Sequence, residues 1–175
     1  SNIAKVLKTI KDKEIKFVDL RFTDTKGKWQ HTAQTATTID EKTFKDGIMF
    51  DGSSIAGWKN INESDMILMP DPSTAVLDPF TAQPSLILFC DVIEPADGKP
   101  YELDPRSTGK KAEAFLKSSG IGEKCFFGPE AEFFIFDDVK WATDQEYTFF
   151  SIDSEEGAYN TCLLYTSDAA DESVC

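Results

Sequence analysis

The sequence has few basic residues and a single histidine. Of its 175 residues, 18 are Lys or Arg and 31 are Asp or Glu, which gives a formal net charge of −13. An acidic chain that lacks a cluster of Lys and Arg is a poor candidate for binding nucleic acid or an anionic membrane surface. We therefore expect neither nucleic acid nor a membrane among the partners.

Cysteine is also scarce, and its spacing excludes two common uses. None of the four cysteines forms a C-x-x-C pair, which argues against a zinc site and against a dithiol redox motif. Cys90 and Cys125 lie inside apolar runs, and we expect both to be buried thiols. The chain shows no apolar signal core and no apolar run of membrane-spanning length, so the sequence predicts a cytoplasmic protein.

The first hundred residues alternate helical and strand patterns. An amphipathic helix is predicted over about 2–12, followed by a hairpin of strands at 17–22 and 29–35. Residues 66–69 are typical of a short strand, and the strongly apolar stretch 85–92 of the central strand of a sheet. The fold class predicted is α+β, with a small mixed sheet packed against one or two helices between about 14 and 100.

The second half begins after a turn at 95–100, which we interpret as a domain boundary. Asp104 is placed to cap a helix with Pro105 at its first position. The apolar stripe expected to bury this helix consists of Ala112, Phe115 and Leu116.

An aromatic segment at 126–136 is predicted to be a strand buried on both faces. Glu130 and Glu132 lie two residues apart in it, so their side chains would leave the same face of the strand, with Cα atoms about 6.6 Å apart. From that separation two carboxylates can each hold one of two neighbouring cations. The alternative is a solvated strand end, where carboxylates need no metal.

Residues 50–58 have the composition of a loop, with Gly, Asp and Ser between apolar flanks. Asp51 precedes Gly52 in this loop, and its ordinary role there would be an Asx turn. The residues alone favour that structural role for Asp51.

Four blocks of sequence, taken together, resemble a known family. They are Phe-Asp-Gly-Ser-Ser at 50–54, Glu-Ser-Asp-Met-Ile-Leu at 63–68, Asp-Pro-Arg-Ser at 104–107 and Phe-Gly-Pro-Glu-Ala-Glu-Phe-Phe at 127–134. In this order they resemble bacterial type I glutamine synthetases over residues 1–161. The resemblance implies a β-grasp-like N-terminal domain at 1–103, followed by the incomplete start of the catalytic domain at 104–161.

The resemblance also implies a function. It is the ATP-dependent ligation of ammonia to L-glutamate through a γ-glutamyl phosphate. By the family's pattern Asp51 binds the ammonium and takes its proton, while Glu130 and Glu132 hold Mg²⁺ or Mn²⁺, with two or more cations in each site. The family further implies a homo-oligomer of stacked rings with active sites between subunits, to which ammonium, glutamate and ATP bind.

Two departures from the family limit these expectations. The family's later motifs, which carry the remaining metal ligands and most of the nucleotide and glutamate contacts, are absent, so we expect this chain alone to be inactive. The last residues, 162–175, do not resemble the family and look like a non-native tail. Two alternatives stay open: a related ligase that joins glutamate to another amine, and a non-catalytic acidic module that binds a metal.

Overall fold

A computed structural model describes residues 2–155 and 157 of the chain. The chain divides into two compact units, Ser1–Cys125 and Phe126–Cys175. The domain limits expected from the sequence, at 103 and 161, stay predictions, and the tail at 162–175 lies outside the described residues.

A six-stranded mixed sheet forms the centre of the first unit. Its strands in spatial order are β2-β1-β6-β4-β3, with the short β5 also paired to β6. Strand β1 runs parallel to β6, whereas the other pairs are antiparallel. The strands are β1 (Phe17–Thr23), β2 (Trp29–Thr35), β3 (Ile48–Asp51), β4 (Asp65–Pro70), β5 (Val76–Leu77) and β6 (Ser85–Ile93). The predicted mixed sheet and its central strand are confirmed.

The core of this unit lies on one face of the sheet. Helix α1 (Asn2–Asp12) turns its apolar stripe toward that face and buries Val6, as its amphipathic pattern predicted. Alternate residues of the sheet strands point inward, so that one face of β1 is buried and the other is half-exposed. The largest of the fully buried side chains among the described residues are Val18, Leu20, Met66, Leu68, Leu86, Leu88, Cys90, Val92 and Asp104.

Helix α2 (Glu41–Asp46) is delimited by its two end residues. Asp40 caps it by accepting hydrogen bonds from the backbone N–H groups of Lys42 at 2.8 Å and Thr43 at 3.1 Å. Gly47 ends it with φ of 74°, and a Cβ there would lie 2.7 Å from the carbonyl oxygen of Leu68. Both the positive φ and the close approach therefore require glycine.

Helix α3 (Pro105–Ser118) begins where the sequence predicted, but it does not bury the expected stripe. Ala112 is exposed, Leu116 is half-exposed and the side chain of Phe115 is 68% exposed, so the prediction of a buried stripe was wrong. The helix is held mainly at its N-terminal end, where Ser107 is its one buried residue. An apolar pattern shows which face can be buried, but burial also requires a neighbouring element to cover it.

The second unit contains a hairpin and an irregular aromatic segment. Strands β7 (Asp138–Thr143) and β8 (Thr148–Asp153) pair with each other in an antiparallel hairpin that the sequence analysis missed. The predicted strand at 126–136 was wrong, since these residues form no ladder of backbone hydrogen bonds with any described strand. A strand exists only through hydrogen bonds to a neighbour, which its own composition does not provide. The aromatic side chains are consequently exposed, with 87% of Phe127 and 86% of Phe134 accessible.

The two cysteines expected to be buried behave differently. Cys90 in β6 is buried, as predicted, and desolvation raises the pKa of its thiol well above the ordinary value. Cys125 is exposed, and the prediction that it is buried was wrong. The reason is that the aromatic residues that follow it do not form the expected strand.

No helix in the described part of the chain is long and apolar enough to cross a membrane.

Candidate functional site

Asp51 lies at the end of β3, where the chain leaves the sheet. Its Oδ1 atom accepts hydrogen bonds from the backbone N–H of Ser53 at 2.8 Å and from the Ser53 hydroxyl at 2.6 Å. These bonds cap a single turn of 3-10 helix at Gly52–Ser54. The structural role expected for Asp51, an Asx turn, is therefore present, and the side chain is nonetheless exposed to solvent.

The same hydrogen bonds favour the ionised form of Asp51. The Ser53 hydroxyl, and then the Ser53 backbone N–H, lower the pKa of the carboxyl below its ordinary value, while slight desolvation acts in the opposite direction. An exposed carboxylate that stays ionised can attract a cation. The lowered pKa makes it a better partner for ammonium and a weaker proton acceptor.

Gly52 allows the chain to pass close to β4 directly after Asp51. Its backbone N–H donates to the carbonyl oxygen of Ser64 at 2.7 Å. A Cβ at this position would lie 2.5 Å from Sδ of Met66, which is fully buried. The close approach to β4 therefore fixes where Asp51 leaves the sheet.

The loop that follows Asp51 ends on a buried aromatic residue. Trp58 packs against Phe22 and Phe50, with ring centroids 5.6 Å and 6.4 Å away. Its backbone carbonyl accepts a hydrogen bond from the Tyr101 hydroxyl at 2.9 Å. We call residues 51–58 the Asp51 loop; its first residue is exposed and its last is 7% exposed.

Glu130 and Glu132 lie in the second unit, within the irregular aromatic segment. Both are exposed, and because no strand forms there, the expected projection from one strand face is not observed. Within residues 2–155 and 157, no group of three or more His, Cys, Asp or Glu side chains is placed to hold a metal. Carboxylates suit Mg²⁺ or Mn²⁺, but such cations need about six oxygen ligands. The two carboxylates are therefore the right kind of ligand for a divalent cation, but two residues supply too few oxygen atoms to bind it alone.

Sequence reasoning missed two features of the first unit that bear on the candidate site. One is the contact between Tyr101 and the Asp51 loop, which joins residues 43 apart in sequence. The other is Arg106, whose guanidinium donates to Asp91 at 2.8 Å and also pairs with Asp71. Arg106 belongs to the Asp-Pro-Arg-Ser block that the sequence analysis singled out. The two carboxylates that it contacts lie on elements that only the fold brings together.

Two family descriptions match successive parts of the chain. Residues 14–95 match "Glutamine synthetase, beta-Grasp domain", and residues 102–173 match "Glutamine synthetase, catalytic domain". The two matches follow the order expected from the sequence blocks, and the first of them covers every strand of the mixed sheet.

The curated proteins that are similar to this chain do not all carry the same name. A glutamine synthetase from Methylococcus capsulatus is 60% identical over 160 residues, which are 91% of this chain and 34% of that relative. A 3-hydroxylaminophenol mutase from Cupriavidus pinatubonensis is 54% identical over 160 residues, again 91% of this chain and 34% of the relative. The chain thus spans about a third of the length of the curated relatives it matches.

A solved structure supports the fold. The cryo-EM structure of Plasmodium falciparum glutamine synthetase is similar at a TM-score of 0.64 and 28% identity, covering 89% of this chain and 30% of that one. Taken with the two domain matches and the bacterial relatives, this shows that the chain belongs to the glutamine synthetase family and contains its β-grasp domain.

Proposed function

We propose that the protein to which this chain belongs is a glutamate–ammonia ligase, which joins ammonia to L-glutamate through a γ-glutamyl phosphate at the expense of ATP. The observation that carries the proposal is the match of both domains of one ligase family, in order, along the chain. The state of Asp51 in the Asp-Gly-Ser-Ser block supports it further, since the side chain is exposed and its pKa is lowered.

In this proposal Asp51 acts on the nitrogen nucleophile. Ammonium carries a positive charge and must lose a proton before its nitrogen can attack an acyl phosphate. An ionised carboxylate both attracts the cation and offers an oxygen to the departing proton. The hydrogen bonds from Ser53 support the first of these two tasks most strongly, because they stabilise the charged carboxylate.

Glu130 and Glu132 are proposed as two ligands of a divalent-metal site in the whole protein. Bound Mg²⁺ or Mn²⁺ would neutralise charge on the phosphoryl group that ATP transfers. Among the described residues no third potential ligand completes a cluster with these two carboxylates, so we assign the remaining ligands and the contacts to ATP and glutamate to other parts of the protein.

We further propose that the whole protein works in the cytoplasm as a homo-oligomer, with the Asp51 loop contributing to a site between subunits. The support is that Asp51 is exposed at the sheet edge formed by β3 and is not enclosed by its own unit. An exposed carboxylate at the edge of a sheet is accessible to a neighbouring chain of a homo-oligomer.

The test is an assay of the purified full-length protein. With ATP, Mg²⁺ and L-glutamate, we expect glutamine and phosphate to form in equal amounts when ammonium is added. The relative named 3-hydroxylaminophenol mutase makes a second activity worth assaying, so 3-hydroxylaminophenol is offered in parallel without ATP. Glutamate-dependent phosphate release with methylamine but not with ammonium would support the amine-ligase alternative and contradict ammonia ligation.

The 175-residue chain serves as the matched control in the same assay. Because it contains two of the carboxylates proposed to hold metal and no third neighbour among the described residues, we expect no glutamine above background. Glutamine formation by this chain alone would show that the proposed division of the site is wrong.

A further inference from the structure

We propose that Tyr101 is a positioning residue for Asp51, and that it acts by anchoring the far end of the Asp51 loop. This inference rests on the proposed role of Asp51 in binding ammonium. Tyr101 follows β6 in the chain and meets the loop at Trp58, at the opposite end from Asp51, so its effect must pass through the loop.

Tyr101 is itself held firmly on the sheet. Its backbone N–H donates to the carbonyl oxygen of Val92 at 2.8 Å, and its carbonyl accepts from the backbone N–H of Asp104 at 3.2 Å. The residue is 6% exposed, and burial raises the pKa of its hydroxyl, so the hydroxyl remains a hydrogen-bond donor. The donor that meets the loop therefore has a fixed position relative to β6.

Tyr101 makes two contacts with the Asp51 loop, both at Trp58. Its hydroxyl donates to the Trp58 carbonyl at 2.9 Å, and its ring meets the Trp58 ring edge-to-face with centroids 5.1 Å apart. Lys59, the next residue, lies over the Tyr101 ring at 5.4 Å and forms an ion pair with Glu94 at 2.5 Å. The end of the loop is thus fixed by a hydrogen bond, a ring contact and an ion pair.

A continuous set of short-range bonds connects that end to Asp51. The N–H of Trp58 donates to the carbonyl oxygen of Ile55 at 3.1 Å. The N–H of Ile55 in turn donates to the carbonyl oxygen of Gly52 at 3.2 Å. Two successive turns therefore span the loop, and a shift at Trp58 moves the backbone that carries Ser53. Because Ser53 holds Oδ1 of Asp51, such a shift changes where the carboxylate points.

The test uses Tyr101→Phe in the full-length protein. This change keeps the ring and removes one hydroxyl, which leaves the Trp58 carbonyl without this donor. We expect the KM for ammonium to rise about three- to tenfold, as for the loss of one hydrogen bond, with the KM values for glutamate and ATP unchanged. The rate with hydroxylamine, which is uncharged at neutral pH and needs no carboxylate to bind it, should stay the same.

Tyr147→Phe is the matched control. Tyr147 is 55% exposed in the second unit, and we expect its variant to retain all three KM values. An unchanged KM for ammonium in Tyr101→Phe would overturn the inference. An equal rise in all three KM values would also overturn it, because a general loss of structure would produce that result. If Tyr101→Phe does not fold, Glu94→Gln weakens the Lys59 contact at the same end of the loop and is judged by the same results.

A second readout separates this inference from the proposed function. Hydrogen–deuterium exchange on the full-length protein reports opening of the loop directly. We expect Tyr101→Phe to speed exchange at the amides of residues 53–58 and not at those of β6. If the parent protein makes no glutamine, the proposed function fails while faster exchange still supports the anchor; unchanged exchange overturns the anchor whatever the activity.

Discussion

Replacing Asp104 with alanine should be among the most destabilising single substitutions in the first unit. Asp104 is fully buried at the N-terminus of α3. Its carboxyl oxygens accept four hydrogen bonds: from the backbone N–H groups of Arg106 at 3.0 Å, Ser107 at 3.2 Å and Val92 at 3.2 Å, and from the Ser107 hydroxyl at 2.7 Å. One side chain therefore caps the helix and joins it to the central strand.

The expected loss follows from counting what the alanine variant leaves unpaired. Removing an N-cap costs about 1 kcal/mol. The N–H of Val92 and the hydroxyl of Ser107 would lose a buried acceptor, and each buried donor left alone costs about 1–3 kcal/mol. Asp104→Ala should therefore lower the free energy of unfolding by about 3–7 kcal/mol.

Asp40→Ala provides the matched control. Asp40 is also an N-cap, with two backbone donors, but it is exposed, so water can replace the lost acceptor. We expect this variant to lose only about 1 kcal/mol. Urea unfolding of the 175-residue chain, followed by circular dichroism, compares the two. A loss for Asp104→Ala no larger than that for Asp40→Ala would refute the argument that burial sets the cost.

Three further predictions concern the Asp51 loop and the second unit. Gly52→Ala should destabilise the first unit by about 1–3 kcal/mol in urea unfolding, because the added Cβ would overlap the buried Met66; an unchanged midpoint would contradict the close approach. Ser53→Ala should raise the pKa of Asp51 toward its ordinary value. The Ser53 contact stabilises the fold above the unfolded pKa of Asp and is lost as pH falls through the folded pKa, and an NMR titration of the Asp51 carboxyl that shows no rise would contradict this. Limited chymotrypsin digestion should cut within 126–136, where the aromatic residues are exposed and lie outside any strand, before it cuts the sheet strands; early cleavage in β6 would count against the described packing.

Local patterns predicted most of the first unit. The cap at Asp104, the hairpin of β1 and β2 and the apolar β6 depend on residues close in sequence, and the structure confirms all of them. The aromatic segment at 126–136 failed as a strand because a strand is defined by its neighbours, which its own composition cannot supply. The buried stripe of α3 failed for the same reason, since an apolar face predicts burial only where another element packs on it.

In the candidate site, too, the sequence predicted local features and not the contacts between distant residues. The position of Asp51 in a turn could be predicted from the Asp-Gly pair, and its donors from Ser53 are local. The contact that anchors the loop could not be predicted, because Tyr101 meets Trp58 only after β6 and the chain beyond it have folded against the sheet. The arrangement of Glu130 and Glu132 stays a prediction for the whole protein, since the expected geometry depended on a strand that the described part of the second unit does not form.

We propose that Asp51 binds the ammonium substrate of a glutamate–ammonia ligase. The most direct measurement is steady-state glutamine synthesis by full-length Asp51→Ala, together with ATP binding to the same variant. Asp97→Ala is the control, because Asp97 is likewise an exposed turn residue whose Oδ1 accepts a backbone N–H, from Lys99 at 3.0 Å. We predict a strong loss of ammonium-dependent turnover for Asp51→Ala with ATP binding retained, and parental activity for Asp97→Ala. Full turnover in Asp51→Ala, or loss of ATP binding together with turnover, would contradict the role assigned to Asp51.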